Sequence, residues 1–239
     1  MENSSSYELK VWNKHILISE IEGLLLIDTG SPKSFHKKGK IEIAGHTYSV
    51  PTTLMGIDTN YLKEKVGCEV AGLIGMDILN DFSVWFNTPK FGNFIGFFDL
   101  NDFSDFANQG FPVADFMGCP CIVLSVKGKR GRFIFDTGAH IPYISEKFID
   151  NDTTYCGVTT DFSPMLNQES FDLKLFYLES ELKGFNGDGR FNAMYAQMPK
   201  KLETILSPFG IDGIIGFDLI NQFRLIVREG KVYFPPQGI

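Results

Sequence analysis

The sequence contains two short motifs, each present twice and in the same order, and this internal repeat constrains its fold more than any other feature. Residues 25–31 read Leu-Leu-Ile-Asp-Thr-Gly-Ser, and residues 133–139 read Phe-Ile-Phe-Asp-Thr-Gly-Ala. A second pair, residues 71–82 and 212–223, shares the pattern Gly, two aliphatic residues, Gly, an apolar residue, Asp, two aliphatic residues, Asn, any residue, Phe. Because each half of the chain carries one full set, the repeat predicts two lobes of related architecture.

The local patterns favour strands over helices. Apolar runs precede each Asp-Thr-Gly, at residues 9–18 and at 121–126 with 132–135, and the 23 Phe and 24 Gly suit aromatic strands and tight turns. Short helices are expected around 76–81 and 217–223, with further helical turns at 61–66 and 200–206. We therefore predict an all-β, bilobal protein. Its lobes span residues 1–105 and 106–239, and the boundary lies in or just after the turn-rich stretch 101–110.

Each Asp-Thr-Gly loop can present one carboxylate rigidly. The apolar run buries the strand that delivers Asp28 or Asp136, and the following glycine lets the backbone turn sharply. The threonine hydroxyl can donate and accept hydrogen bonds that hold the turn. Two such loops facing each other would bring two carboxylates close enough to share a proton, so that one acts as a general base on water and the other as an acid.

These motifs resemble those of the pepsin-like and retropepsin-like aspartic peptidases. The matching loops are Asp-Thr-Gly-Ser and Asp-Thr-Gly-Ala, and the matching supporting elements are Leu-Ile-Gly at 73–75 and Ile-Ile-Gly at 214–216. The resemblance covers most of the chain and implies two β-barrel lobes of retropepsin type. It implies catalysis by Asp28 and Asp136, with loop support from the residues that follow them: Thr29, Gly30, Ser31, Thr137, Gly138 and Ala139. It also implies an extended peptide or protein substrate, no cofactor, and a dyad complete in a monomer.

The two predicted lobes differ in the interval between their motifs. The interval from Asp28 to Gly72 is much shorter than that from Asp136 to Gly213. In the family this interval holds the flap, a hairpin that closes over the substrate, so we expect a flap at 155–172 in the second lobe, with Phe162 near its tip, and none in the first. The alternative is a short flap in the first lobe, in the hairpin at 40–50, with Tyr48 at the substrate.

Three further positions carry weaker predictions. His140 follows the second loop and either binds substrate or is a surface residue beside a turn. Asp77 and Asp218 occupy matched positions at predicted helix starts, where a carboxylate caps free N–H groups, and we read them as structural. Because Ala139 stands where the first loop has Ser31, we expect a pH optimum less acidic than that of pepsin. The Phe-rich stretch 91–106 is interpreted as packing between the lobes or as linker.

Charge and composition exclude several other functions. The formal net charge of −7 and the absence of a long basic run argue against nucleic-acid binding. No apolar run is long enough for a membrane helix, and no signal peptide is recognised, so a cytoplasmic location is expected. Cys119 and Cys121 form a close pair without a second Cys/His pair, which favours free thiols over a metal site.

Two other functional interpretations of the same loops are possible from the sequence. The first is a catalytically inactive peptide-binding or scaffolding module on the same fold, since fold alone does not assign function. The second is a metal-dependent hydrolase with Asp28 and Asp136 as ligands, which the sparse histidines disfavour. We take aspartic endopeptidase activity as the leading prediction.

Overall fold

The computed structural model describes residues 5–100, 115–162, 166, 170–182 and 189–235. Strands account for 49% and helices for 16%, which places the protein in the all-β class that the sequence predicts. In the described part, no helix is long and apolar enough to cross a membrane. The predicted boundary stretch 101–110 lies outside the described residues.

Each half contributes a similar series of elements. The strands of the first half are β1 (Ser5–Trp12), β2 (His15–Glu20), β3 (Gly23–Ile27), β4 (Phe35–His36), β5 (Lys40–Ile43), β6 (His46–Ser49), β7 (Gly72–Ile74), β8 (Ser83–Asn87) and β9 (Phe94–Phe98). Those of the second half are β10 (Cys121–Val126), β11 (Lys129–Phe135), β12 (Tyr143–Ile144), β13 (Thr154–Phe162), β14 (Ser170–Leu182), β15 (Arg190–Gln197), β16 (Gly213–Ile215), β17 (Leu225–Arg228) and β18 (Lys231–Tyr233). The helices are α1 (Thr59–Val66), α2 (Met76–Leu79), α3 (Lys200–Leu206) and α4 (Phe217–Ile220).

Strand pairing ties the two halves together. A nine-stranded sheet has the order β18-β17-β8-β9-β1-β2-β3-β7-β4, and a seven-stranded sheet has the order β10-β11-β16-β12-β15-β14-β13, in which β14 also pairs with β10. β17 and β18 belong to the last part of the chain, yet β17 pairs antiparallel with β8 of the first half. The end of the chain thus completes a sheet of the first half, across the division predicted between the lobes.

The repeated motifs adopt the same local arrangement twice. β3 runs parallel to β7 and β11 runs parallel to β16, while β4 and β12 pair antiparallel with β7 and β16. Strands with neighbours on both sides and packing on both faces need continuous apolar sequence, and the last three residues of β3 and of β11 are all buried. A short helix then begins directly after the second glycine of each second motif: α2 follows Gly75 and α4 follows Gly216. The four predicted helical segments are confirmed.

The single strand predicted at 9–18 is part of two strands in the structure. The run at 9–18 contains a tight turn at Asn13 and Lys14, whose φ angles of 47° and 64° are left-handed. Such a turn matches the twist of a hairpin, so β1 and β2 fold back on each other. Part of the Phe-rich stretch is not linker, because β9 lies inside the large sheet between β8 and β1. Residues 101–106 of that stretch lie outside the described residues.

The halves differ most in the segment that follows each Asp-Thr-Gly loop. In the first half, β5 and β6 form a small separate hairpin. In the second half, β13, β14 and β15 are long and pair along most of their length. The buried core runs continuously through both halves, and a smaller cluster forms where α1 packs its two buried residues, Leu62 and Val66, against the first half.

Candidate active site

Asp28 and Asp136 begin two equivalent loops. Asp28 follows β3, and its backbone N–H donates to the carbonyl of Ile74 at 2.9 Å. Asp136 follows β11, and its N–H donates to the carbonyl of Ile215 at 3.1 Å. The parallel neighbour of each strand therefore fixes where the aspartate leaves the sheet.

Backbone amides of the same loop orient each carboxylate. The Oδ1 atom of Asp28 accepts a hydrogen bond from the N–H of Gly30 at 2.9 Å. The Oδ1 atom of Asp136 accepts from the N–H of Gly138 at 2.8 Å and from that of Ala139 at 3.1 Å. Such bonds leave the other carboxylate oxygen of each residue available for chemistry.

The two threonines of the loops form a reciprocal, fully buried hydrogen-bond network between the halves. The N–H of Thr29 donates to Oγ1 of Thr137, and the N–H of Thr137 donates to Oγ1 of Thr29, each at 3.0 Å. The Thr29 hydroxyl donates to the carbonyl of Phe135 at 2.6 Å, and the Thr137 hydroxyl donates to that of Ile27 at 2.7 Å. Each threonine thus satisfies backbone groups of the opposite loop, which holds the loops in a symmetric pair.

The carboxyl groups of Asp28 and Asp136 meet across this junction and share a hydrogen bond. A Cβ atom added to Gly30 would lie 2.2 Å from Cγ of Asp136, and one added to Gly138 would lie 2.7 Å from Cγ of Asp28. No side chain fits at either distance, so each loop needs glycine because the carboxylate of the other loop occupies that space.

Proximity and burial raise the pKa values of both carboxyl groups. Burial raises the pKa of Asp28 well above its usual range, and the charge of Asp136 and the hydrogen bond with it raise it further. Burial also raises the pKa of Asp136, but the amide of Gly138 and the hydrogen bond from Asp28 oppose this. Two carboxyl groups held this close share a proton, and the raised pKa values belong to the pair rather than to either aspartate.

The second motifs support the loops from beneath. The N–H of Met76 donates to the carbonyl of Ser31 at 2.9 Å, and the N–H of Phe217 donates to that of Ala139 at 2.7 Å. A Cβ atom on Gly75 or Gly216 would fall within 2.6 Å of loop backbone, which explains the glycine in each motif. Helices α2 and α4 thus attach directly to the loops that carry the dyad.

Asp77 and Asp218 hydrogen-bond neighbouring side chains and do not cap these helices as predicted. The N-terminal caps of α2 and α4 carry no side-chain hydrogen bond. Asp77 accepts from the hydroxyl of Ser34 at 2.6 Å, and Asp218 accepts from the ammonium of Lys14 at 2.6 Å.

Of the weaker site predictions, the structure brings His140 and Phe162 together at the junction between the halves and places Tyr48 elsewhere. Nδ1 of His140 lies 3.5 Å from the carboxylate of Asp161, whose charge also acts on Asp136. Tyr48 instead hydrogen-bonds Asp81, which follows α2 in the first half. The short β5/β6 hairpin is therefore held against its own half.

The hairpin of β13 and β14 reaches from the second half to helix α1 of the first. The ring of Phe162, the last residue of β13, lies edge-on to Tyr61 at 5.9 Å between centroids, and the ammonium of Lys65 lies 5.5 Å from the Phe162 ring. The predicted flap segment, 155–172, thus forms a hairpin here, and residues 163–165 and 167–169 within it lie outside the described residues.

The sequence did not predict which residues of the first half lie at the junction between the halves. A cavity of about 250 Å³, which we call the His15 cavity, lies between the halves. Its lining residues are Asn13, His15, Lys65, His140, Thr160, Asp161, Phe162 and Ser170. A histidine that follows a hairpin turn has no distinctive sequence signal, and only the apposition of the halves reveals its position.

Thiols and metal ligands offer no competing site in the described residues. All four cysteines are free, and Cys119 and Cys121 are buried. Burial and the charges of Asp28 and Asp136 raise the pKa of Cys119, which keeps it a neutral thiol. No group of three or more His, Cys, Asp or Glu residues there is placed to hold a metal ion.

Comparison with known proteins adds no assignment. No protein-family model matches the chain, and no curated protein matches it significantly.

Proposed function

We propose that this protein is an aspartic endopeptidase with a bilobal acid-protease fold, in which each half forms one β-barrel lobe of retropepsin type. The observation that carries the proposal is the contact between the carboxyl groups of Asp28 and Asp136, which come from duplicated loops joined by reciprocal threonine hydrogen bonds. Two carboxyl groups that share one proton are equipped for general acid–base catalysis on water.

The shared proton gives the two aspartates complementary roles. The ionised member of the pair takes a proton from a water molecule as that water attacks the peptide carbonyl carbon. The member that carries the shared proton donates a hydrogen bond to the carbonyl oxygen and stabilises its developing negative charge. When the tetrahedral intermediate collapses, the proton accepted from the water passes to the leaving amine. Water is the nucleophile, so no cofactor is needed.

The substrate is a peptide or protein segment bound in extended form. The dyad sits between the two halves, and the contact of the β13/β14 hairpin with α1 spans the same junction, which supports a substrate path between the hairpin and the dyad. Extended binding exposes the scissile carbonyl to both carboxyl groups and lets strand edges bond the substrate backbone. Both aspartates belong to one chain, so a monomer is sufficient.

The test is cleavage of a peptide library by the wild type and by the Asp28→Asn and Asp136→Asn variants, across a range of pH. We expect cleavage by the wild type and a loss of about a thousandfold or more in each variant, because each removes one of the two acid–base groups. Full activity in either variant contradicts the dyad assignment. A wild type that binds peptides but cleaves none at any pH favours the alternative, a peptide-binding module on the same fold.

A further inference from the structure

Strand β13 has a single buried residue, and that residue is an aspartate. Asp161 is 8% exposed, whereas most of the strand around it faces solvent. It lines the His15 cavity at the junction between the halves, and the cleavage mechanism proposed above gives it no role. Carboxylates are rarely buried without a partner or a function, because removing their charge from water is costly. Asp161 is therefore a candidate for a further role at this junction.

Both oxygens of Asp161 are held by groups close to the loop that carries Asp136. The hydroxyl of Tyr143 donates to Oδ2, and the N–H of Phe162 donates to Oδ1 at 2.8 Å. Nδ1 of His140 lies 3.5 Å from Oδ1. Burial, and next the charge of Asp161, raise the pKa of Tyr143, so this hydroxyl stays a neutral donor and does not cancel the charge. The carboxylate is thus fixed in position beside the loop.

The positive charges that could offset Asp161 come from β2, from α1 and from the loop itself. Burial, and next the neighbouring His140, lower the pKa of His15 in β2 to about 4, so its ring is neutral above that pH. Lys65 of α1 lines the same cavity and pairs with Glu64 at 3.2 Å. His140 offsets the carboxylate only when it is protonated. The charge of Asp161 is therefore least compensated where both histidines are neutral.

This charge acts on the catalytic pair of carboxyl groups. Burial is the largest cause of the raised pKa of Asp136, and the charge of Asp161 adds to it. The amides of Gly138 and Ala139 act in the opposite direction, because they stabilise the ionised form. A negative charge fixed near two coupled carboxyl groups disfavours the loss of each proton, so it moves both protonation steps of the pair to higher pH.

We propose that Asp161 is a positioning residue for the reaction, whose fixed negative charge keeps the shared proton on the Asp28–Asp136 pair to higher pH. It does not touch the reacting atoms and acts only through the pair. This inference rests on the proposed function, since it sets the pH range of the same site. It favours the less acidic optimum that the sequence predicts.

The pH dependence of kcat/KM for a cleaved peptide tests this role. Asp161→Asn keeps the shape and an acceptor oxygen but removes the charge, so both limbs of the profile should move to lower pH by about half a pH unit or more. Asp161→Glu keeps the charge, so its limbs should stay at the wild-type positions even if its rate falls. Unchanged limbs in Asp161→Asn, or an equal shift in Asp161→Glu, overturn the proposal.

Asp172→Asn is the matched control on the same hairpin. Asp172 is exposed on β14 and accepts from the hydroxyl of Thr160 at 2.8 Å, so solvent and salt screen its charge. Its removal should leave both limbs in place, and a shift as large as that of Asp161→Asn would assign the effect to overall charge and overturn the proposal. If Asp161→Asn does not fold, the double variant Tyr143→Phe/Asp161→Leu removes the carboxylate together with its buried hydroxyl partner, and the same shift is expected.

A titration that needs no substrate separates this inference from the proposed function. With aspartate isotopically labelled at Cγ, NMR reports the protonation of Asp28 and Asp136, whose signals are assigned by their loss in the Asp28→Asn and Asp136→Asn variants. The titration midpoints of the pair should be lower in Asp161→Asn than in the wild type. If they are lower but no peptide is cleaved, the effect of Asp161 on the pair stands and the peptidase assignment fails. If they are not lower, the proposal is overturned, whether or not the wild type cleaves peptides.

Discussion

Replacing Thr29 by valine tests whether the reciprocal threonine network holds the two loops together. Valine keeps the shape of threonine but removes the hydroxyl, which leaves the N–H of Thr137 and the carbonyl of Phe135 without partners in a fully buried site. Each buried unpaired group costs about 1–3 kcal/mol, so the free energy of unfolding should fall by about 2–6 kcal/mol. That is a large share of the ~5–15 kcal/mol typical of a folded protein.

Urea denaturation with linear extrapolation measures this loss, and peptide cleavage measures its effect on the dyad. Thr29→Ser is the control, because serine keeps the hydroxyl and loses only a methyl group, at a cost of about 1 kcal/mol. Thr137→Val should lower the free energy of unfolding as much as Thr29→Val does, since it leaves the N–H of Thr29 and the carbonyl of Ile27 without hydrogen-bond partners. The reasoning is refuted if Thr29→Val costs less than about 1 kcal/mol, or no more than Thr29→Ser.

Three further changes have defined outcomes. Gly30→Ala should abolish cleavage, because its Cβ would lie 2.2 Å from Cγ of Asp136; retained activity contradicts the carboxyl contact. The pKa of His15 is lowered from 6.5 to about 4 in the folded state, so the unfolded chain binds more protons between these values and stability falls as pH drops through this window, by about 3 kcal/mol in full. Because the raised pKa values of the dyad act in the opposite direction, the His15→Asn variant isolates this contribution, and an unchanged pH–stability curve would falsify it. Phe162→Ala removes the contact with Tyr61 and Lys65 and should raise KM more than it lowers kcat in steady-state assays; an unchanged KM shows that the hairpin does not enclose substrate.

Much of the local structure follows from the sequence because it depends on local pattern. The apolar runs before Asp28 and Asp136 are buried strands, and the glycines of the second motifs precede short helices as predicted. The single run predicted at 9–18 was wrong, since the turn residues Asn13 and Lys14 lack the glycine that usually marks a hairpin. The pairing of β17 with β8 was also beyond local pattern, because no residue in either strand specifies its distant partner.

The pair of aspartates was predictable because the duplication is visible in the sequence. The same Asp-Thr-Gly triplet at equivalent places in both halves implies a symmetric pair. What the repeat could not show was the difference between the halves. His15 of the first half reaches Gly138 of the second, and Lys65 of the first half reaches Phe162 of the second. The sequence by itself determined the all-β class, the pair of aspartates and the loops that carry them. Only the tertiary structure decided what surrounds them, because contacts between the halves join residues far apart in the chain through packing that no local pattern encodes.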